Sequence, residues 1–249
     1  MKPTRVLLAI FVIVALVACT DDTTPDSSTS STTTKDPGSA TTIPDNSTTL
    51  TSPPPTGPPR PPLSEVEDAL VSQIPDSWSA PSVSRAPFSV SLCGRTVTVV
   101  EADPTDESPN RPREGFILTT TAPGDTSVSV VVYEQFAEDT MENIETALPQ
   151  CGPSTLTNPT DGWTLTTDAN AESTTIANVP GALVSSFATR VYTDNRTTRY
   201  SATRLFFGTS NGFLLRVSVS ASGTDRDEVE AIDGLFEEVV EMTRLATDG

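Results

Sequence analysis

Three stretches decide the fold: ALVSSFATRVYT at 182–193, TTRYSATRLFFG at 197–208 and GFLLRVSVSA at 212–221. Each is long, β-branched and aromatic-rich, and each is bounded by turn chemistry, first Asp194-Asn195-Arg196 and then Ser210-Asn211-Gly212. Consecutive segments of this kind, joined by short turns, predict an antiparallel meander. After Ser222 and Gly223 the period changes from two to 3.6. Val229, Ile232, Leu235, Phe236, Val239 and Met242 form an apolar stripe, and Asp225, Asp227 and Glu228 stand in the first turns, where the helix dipole favours negative charge. Such a helix must lie on a sheet.

Upstream, the same reading gives a smaller set of elements. Leu63, Val66, Leu70 and Ile74 recur at helical spacing until Pro75, with Ser64 and Glu67 at capping-box separation. Residues 96–101 read as a strand. Gly115–Thr121 and Thr126–Gln135 read as a hairpin closed by Ala122-Pro123-Gly124-Asp125. A second helix is expected over Ala137–Leu148, stopped by Pro149. The sum is an α+β domain over 63–249: an antiparallel sheet of about five or six strands with a C-terminal meander, packed by two or three helices.

The N-terminal region has another character. Lys2 and Arg5 precede an apolar run from Val6, and Leu16-Val17-Ala18-Cys19 closes it. The run is short for a spanning helix, which needs about 20 apolar residues. It reads as a lipoprotein signal peptide over 1–18, with lipid (palmitate among its acyl chains) attached at Cys19 and the mature chain held at the extracytoplasmic face of the cell membrane. An uncleaved signal anchor is the alternative. Residues 19–62 then form a tether of Thr, Ser, Pro, Asp and Gly, too poor in apolar groups to offset the entropy of ordering. As a flexible coil, a segment of this length has an r.m.s. reach of roughly 35 Å. It is either a bare spacer or an O-glycosylated stalk.

With Cys19 assigned to lipid, Cys93 and Cys151 remain, an even pair in an exported chain, and a disulfide between them is expected.

Composition excludes more chemistry than it offers. The chain has no histidine, which removes the usual base of hydrolase triads and the commonest zinc ligand. Its only lysines are Lys2 and Lys35, so the folded part has no lysine for Schiff-base or general-base work. From Leu63 onward 11 Arg face 28 Asp and Glu, a formal charge of −17. That field repels nucleic acid and anionic headgroups, so no nucleic-acid partner is expected, and contact with the membrane is assigned to the N-terminal lipid. Carboxylates are too many for any pair to be singled out as a glycosidase couple. No catalytic residue, cofactor or metal is expected, and the chain is read as not an enzyme. The sequon at Asn195 is read as turn chemistry.

Two segments carry a resemblance. Ser129-Val-Val-Val-Tyr-Glu-Gln-Phe-Ala through Leu148-Pro-Gln-Cys151 resembles the strand, helix and terminal cysteine of the PknH-like extracellular sensor domains, found on mycobacterial kinases and in actinobacterial lipoproteins. Val179-Pro-Gly-Ala-Leu-Val184, Arg204-Leu-Phe-Phe-Gly208 and the strand from Gly212 resemble that family's closing strands. The LpqN-like lipoproteins, with a lipobox, a Thr/Ser/Pro tether and a compact strand-rich domain, are a second similar group. Either resemblance implies an envelope-facing module without catalysis; the first implies a ligand cleft.

Within that frame Arg190, Arg204 and Arg216 are the candidate ligand-binding residues. They fall on successive predicted strands at even positions, and on one sheet face they would form a cationic stripe for a carboxylate or phosphate. The competing reading pairs them with nearby acids, and a one-residue shift of register would split them between faces. Phe187, Phe206, Phe207, Phe213, Tyr192 and Tyr200 either pack as core under the last helix or line a lipid pocket. Trp163 is either a partly buried strand residue or a platform for sugar rings. The function expected is ligand or partner binding at the cell envelope. The alternative is an assembly lipoprotein that docks another envelope protein, marked by a flat apolar patch where a ligand binder has a concave polar site.

Overall fold

Two runs of five strands, separated by a helix and flanked by helices, make up the computed structural model, which describes residues 60–100, 115–193 and 197–249. The expected signal peptide, Cys19, nearly all of the expected tether and the expected turn at 194–196 lie outside the described residues. The elements are α1 (Leu63–Gln73), β1 (Ser82–Arg85), β2 (Ser89–Leu92), β3 (Arg95–Thr98), β4 (Gly115–Ala122), β5 (Thr126–Tyr133), α2 (Thr140–Ala147), a 3-10 turn (Leu148–Gln150), β6 (Ser154–Asn158), β7 (Trp163–Ile176), β8 (Val179–Tyr192), β9 (Thr198–Ser210), β10 (Phe213–Gly223), α3 (Arg226–Glu230) and α4 (Asp233–Asp248).

Eight strands form one antiparallel sheet in the order β1-β4-β5-β10-β9-β8-β7-β6, and β2 with β3 makes a separate hairpin. The sheet is therefore larger than the five or six strands expected. The meander from β8 to β10 is present, and it continues back through β7 and β6. Those two strands escape a reading by alternation because 154–176 is Thr-, Ser- and Ala-rich and neither of their faces is fully buried. Ala177 and Asn178, both at positive φ (50° and 64°), make the two-residue turn that joins β7 to β8. Asn211 and Gly212 (46° and 78°) do the same between β9 and β10.

One face of the sheet carries α1, α3 and α4. Phe116, Leu118, Val130, Val132, Leu215, Val217 and Val219 meet Val66, Leu70, Phe236, Val239 and Val240 there, all of them buried. This will be called the helical face. The opposite face is covered at one end by α2 and the β2–β3 hairpin, over Val131, Tyr133, Phe207 and Leu214. The Cys93–Cys151 disulfide belongs to this second layer, with Cα atoms 5.0 Å apart, and it links the hairpin turn to the residue after the 3-10 turn. On the helical face Gly181 and Gly208 stand opposite each other, beneath the ring of Phe206. A Cβ on Gly181 would lie 2.0 Å from the Phe207 carbonyl oxygen and 2.7 Å from the ring, so the approach requires glycine.

Element ends depart from expectation for local reasons. Ser64 and Glu67 form no capping box; Pro62 is the N-cap, and its carbonyl accepts from the N–H groups of Glu65 (3.0 Å) and Val66 (3.3 Å). Pro61 and Pro62 thus lead straight into the helix. Packing also reaches further back than 63: Arg60 donates to the Glu134 carbonyl at 2.7 Å and its guanidinium lies 3.8 Å over the Phe213 ring. The strand expected over 96–101 ends at Thr98, because Val99 and Val100 both turn their N–H groups to the Phe88 carbonyl. The second helix begins three residues late, since Ala137 donates to the Val99 carbonyl at 2.8 Å instead of entering the helix. The closing helix is broken at Ala231 and Ile232 into α3 and α4, just before the poor helix formers Asp233 and Gly234. Asp225 caps α3 by accepting from the N–H groups of Asp227 (2.9 Å) and Glu228 (3.4 Å). No helix of the described residues is long and apolar enough to cross a membrane.

Candidate functional site

Where β7 turns into β8 and passes beside α4, the helical face opens into a groove of about 950 Å³. Its base is apolar, from Ile176, Leu183 and Phe236, and its strand side adds the polar groups of Thr174, Asn178 and Ser185. The helix side is acidic. Asp233, Glu237 and Glu241 are spaced by four along α4, so they fall on one side of the helix, and Glu238 also reaches the groove. Like charges at this spacing cost a few tenths of a kcal/mol per pair. Glu241 is held by Arg244, which donates from Nη2 (2.8 Å) and Nε (2.8 Å) and also grips Asp248. That hydrogen-bonded guanidinium keeps the Glu241 carboxyl below its ordinary pKa.

Arg204 stands in this groove, and its Nε donates to Asp233 Oδ1 at 2.7 Å. A pair with one partner this exposed contributes at most about 1 kcal/mol, but it occupies the arginine. The groove therefore presents acids around an apolar base, and the charge it favours is positive.

The other two candidate arginines lie on the opposite face. Register settles this: Arg204 is opposite Ser185 and Val219, whereas Arg216 is opposite Val131 and Phe207, and Arg190 is opposite Arg199 and Leu165. The single cationic stripe is thus not formed. The reason lies in the loops: the β9–β10 connection has two residues, so partners across it differ in parity and even positions on neighbouring strands point to opposite faces. Arg190 and Arg216 share a face but are far apart, since their β9 neighbours Arg199 and Phe207 are eight residues, or about 27 Å, from each other. Arg190 lies 4.7 Å over the Trp163 ring. Arg216 is largely enclosed, and its Nε has no hydrogen-bond partner among the described residues. Burial lowers its pKa, and burial likewise pushes the neighbouring Tyr133 phenol up to about 12.

The aromatic candidates divide too. Phe206, Phe207 and Phe213 are core. Phe187 and Tyr200 stack at 5.9 Å on the helical face, where Arg226 covers Phe187 at 4.9 Å. Trp163 is half-buried on β7, opposite Tyr192. Reading residues alone passed over Arg199 and the acids of α4. The spacing of Asp233, Glu237 and Glu241 was legible, but only the β7–β8 turn beside them makes a groove. Among the described residues no group of three His, Cys, Asp or Glu is placed to hold a metal ion.

No family model and no curated protein matches this chain. Among solved structures there is a likeness to LpqN. That protein, described as involved in cell envelope biogenesis of Mycobacterium tuberculosis, is 13% identical; the likeness covers 66% of this chain and 78% of that one, at a TM-score of 0.26. The likeness is to the second of the two groups named above and lends nothing to the PknH-like one. At that score it fixes neither fold nor role.

Proposed function

We propose that this chain is a lipid-anchored, extracytoplasmic, non-catalytic binding domain of the cell envelope, and that its ligand enters the groove between the β7–β8 turn and α4. The observation that carries the reading is the concavity itself: an apolar base of Ile176, Leu183 and Phe236 with polar groups converging from β7, β8, β9 and α4. Among the described residues, the large apolar side chains that are exposed, Val71, Phe88, Leu156, Val191 and Leu245, are spread over α1, the β1–β2 connection, β6, β8 and α4, which favours the groove over a flat docking patch. The acidic wall selects a ligand with an apolar body and a cationic or polyhydroxyl end, in place of the anion first expected for Arg204. Anchoring rests on Cys19, and an oxidising compartment fits the Cys93–Cys151 disulfide.

The test uses the full-length lipoprotein extracted in mild detergent. Native mass spectrometry is expected to show a co-purifying small molecule, and an envelope lipid extract is expected to raise the melting temperature. A ligand at a hundred times its Kd adds about 2.7 kcal/mol. Ser185→Trp, which fills the groove, should abolish both signals. A clean apo mass with no shift from any fraction would sink the reading in favour of the assembly alternative.

A further inference from the structure

The face of the sheet opposite α1, α3 and α4, which α2 and the β2–β3 hairpin cover at its Phe207 end only, segregates charge along its strands. Register places Arg190, Arg199 and Arg216 on it, and not one Asp or Glu of the eight strands; the acids of the long strands, Asp168 and Glu172, point to the helical face. In a chain with 33 acids against 15 Lys and Arg this distribution is not what chance pairing gives. On the helical side Arg204 has Asp233, Arg226 has Glu230 and Arg244 has Glu241. Among the described residues no ion pair reaches Arg190, Arg199 or Arg216. Arg190 and Arg199 are moreover direct cross-strand neighbours, an arrangement of like charges that costs stability.

Next to Arg190 and Arg199, as far as Leu205 and Val184, the face is a plane of short side chains. Thr203 pairs with Ser220 through their hydroxyls at 3.0 Å, and Ser201, Ser186 and Ser218 continue the plane. Every hydroxyl is both donor and acceptor, the complement of a sugar hydroxyl. At the far end Trp163 lies under Arg190. Stacking uses the faces of the guanidinium and leaves its in-plane N–H donors for an anion.

We propose that this face binds a linear anionic glycan, a sugar polymer bearing carboxylate or phosphate groups, laid along the hydroxyl plane with its charges on Arg190 and Arg199. This is a second site, on the other side of the sheet from the groove and independent of it. The overall negative charge does not forbid it. The acids of α4 lie on the other side of the sheet, about 10 Å away, and Glu142 and Glu145 of α2 belong to the Phe207 end of the face, about 27 Å along β9 from Arg199; exposed charges beyond the Debye length of about 8 Å at physiological salt are largely screened.

The experiment measures binding of the full-length lipoprotein in neutral detergent to three polymers of one backbone, namely dextran, carboxymethyl-dextran and dextran phosphate, by microscale thermophoresis. Binding is expected to one or both charged polymers and not to dextran, and the charged polymer that binds identifies the anion. It should weaken at least tenfold in the Arg190→Gln/Arg199→Gln double variant and stay unchanged in Arg226→Gln, with an unaltered circular dichroism spectrum showing that both variants fold. Raising the salt to molar strength should abolish it. Equal binding of all three polymers, no binding, or binding unaffected by the double variant overturns the proposal. Binding to phosphatidylglycerol vesicles with none to either charged dextran also overturns it, in favour of a membrane contact.

Discussion

Burial strips water from the Arg216 guanidinium, and no carboxylate among the described residues replaces it. A cation in this position costs folding free energy unless it is paired, so Arg216→Met is expected to stabilise the protein by about 1–3 kcal/mol in urea denaturation. Tyr133, in the same layer, donates to the Pro87 carbonyl at 3.0 Å and titrates at about 12. Below pH 10 the phenol is protonated in both folded and unfolded chains. Between pH 10 and about 12 the unfolded chain releases this proton while the folded one retains it, so stability falls with rising pH, by on the order of 2 kcal/mol. Tyr133→Phe should remove that alkaline loss, read as a flatter dependence of the urea midpoint on pH, while costing about 1 kcal/mol at neutral pH for the lost hydrogen bond.

Among the elements, β8 and β9 are joined most tightly where Gly181 faces Gly208 under Phe206. Gly181→Ala drives a Cβ into a backbone carbonyl that cannot swing aside, and a loss above about 3 kcal/mol is expected by thermal denaturation, with β8–β9 amides losing hydrogen-exchange protection first. The sequence made β8, β9 and β10 legible because β-branched and aromatic residues cluster there, and α4 because its stripe persists over four turns. It hid β7 because Asp168, Asn170, Glu172 and Ser173 are weak strand formers; pairing on both sides holds them extended, and tertiary context overrides propensity. The same limit applies to the arginines. Residue type marked them, but face depends on loop parity, and parity is fixed only by the register in which neighbouring strands pair. The disulfide was legible because only two cysteines remained once Cys19 was set aside.

At the scale of the whole molecule, the two layers differ in how they are held. The helical face rests on a continuous apolar core, whereas the second layer of α2 and the β2–β3 hairpin is small and cross-linked through Cys93 and Cys151. A link across 58 residues removes about 4 kcal/mol of loop entropy from the unfolded chain. Reduction should therefore lower the melting temperature markedly and release the second layer before the sheet, seen as loss of protection in β2, β3 and α2 by hydrogen exchange. The position of β10 has a different kind of consequence. It lies between β5, which precedes it by some eighty residues, and β9, and α3 and α4 follow it. A chain that emerges N-terminus first, from a ribosome or across a membrane, thus holds two unjoined half-sheets until β10 arrives. Their exposed edges are open to wrong partners for that whole interval, so the protein's timetable for reaching the native state is set by the arrival of this one strand, and a chaperone that shields strand edges gains most by acting just before it.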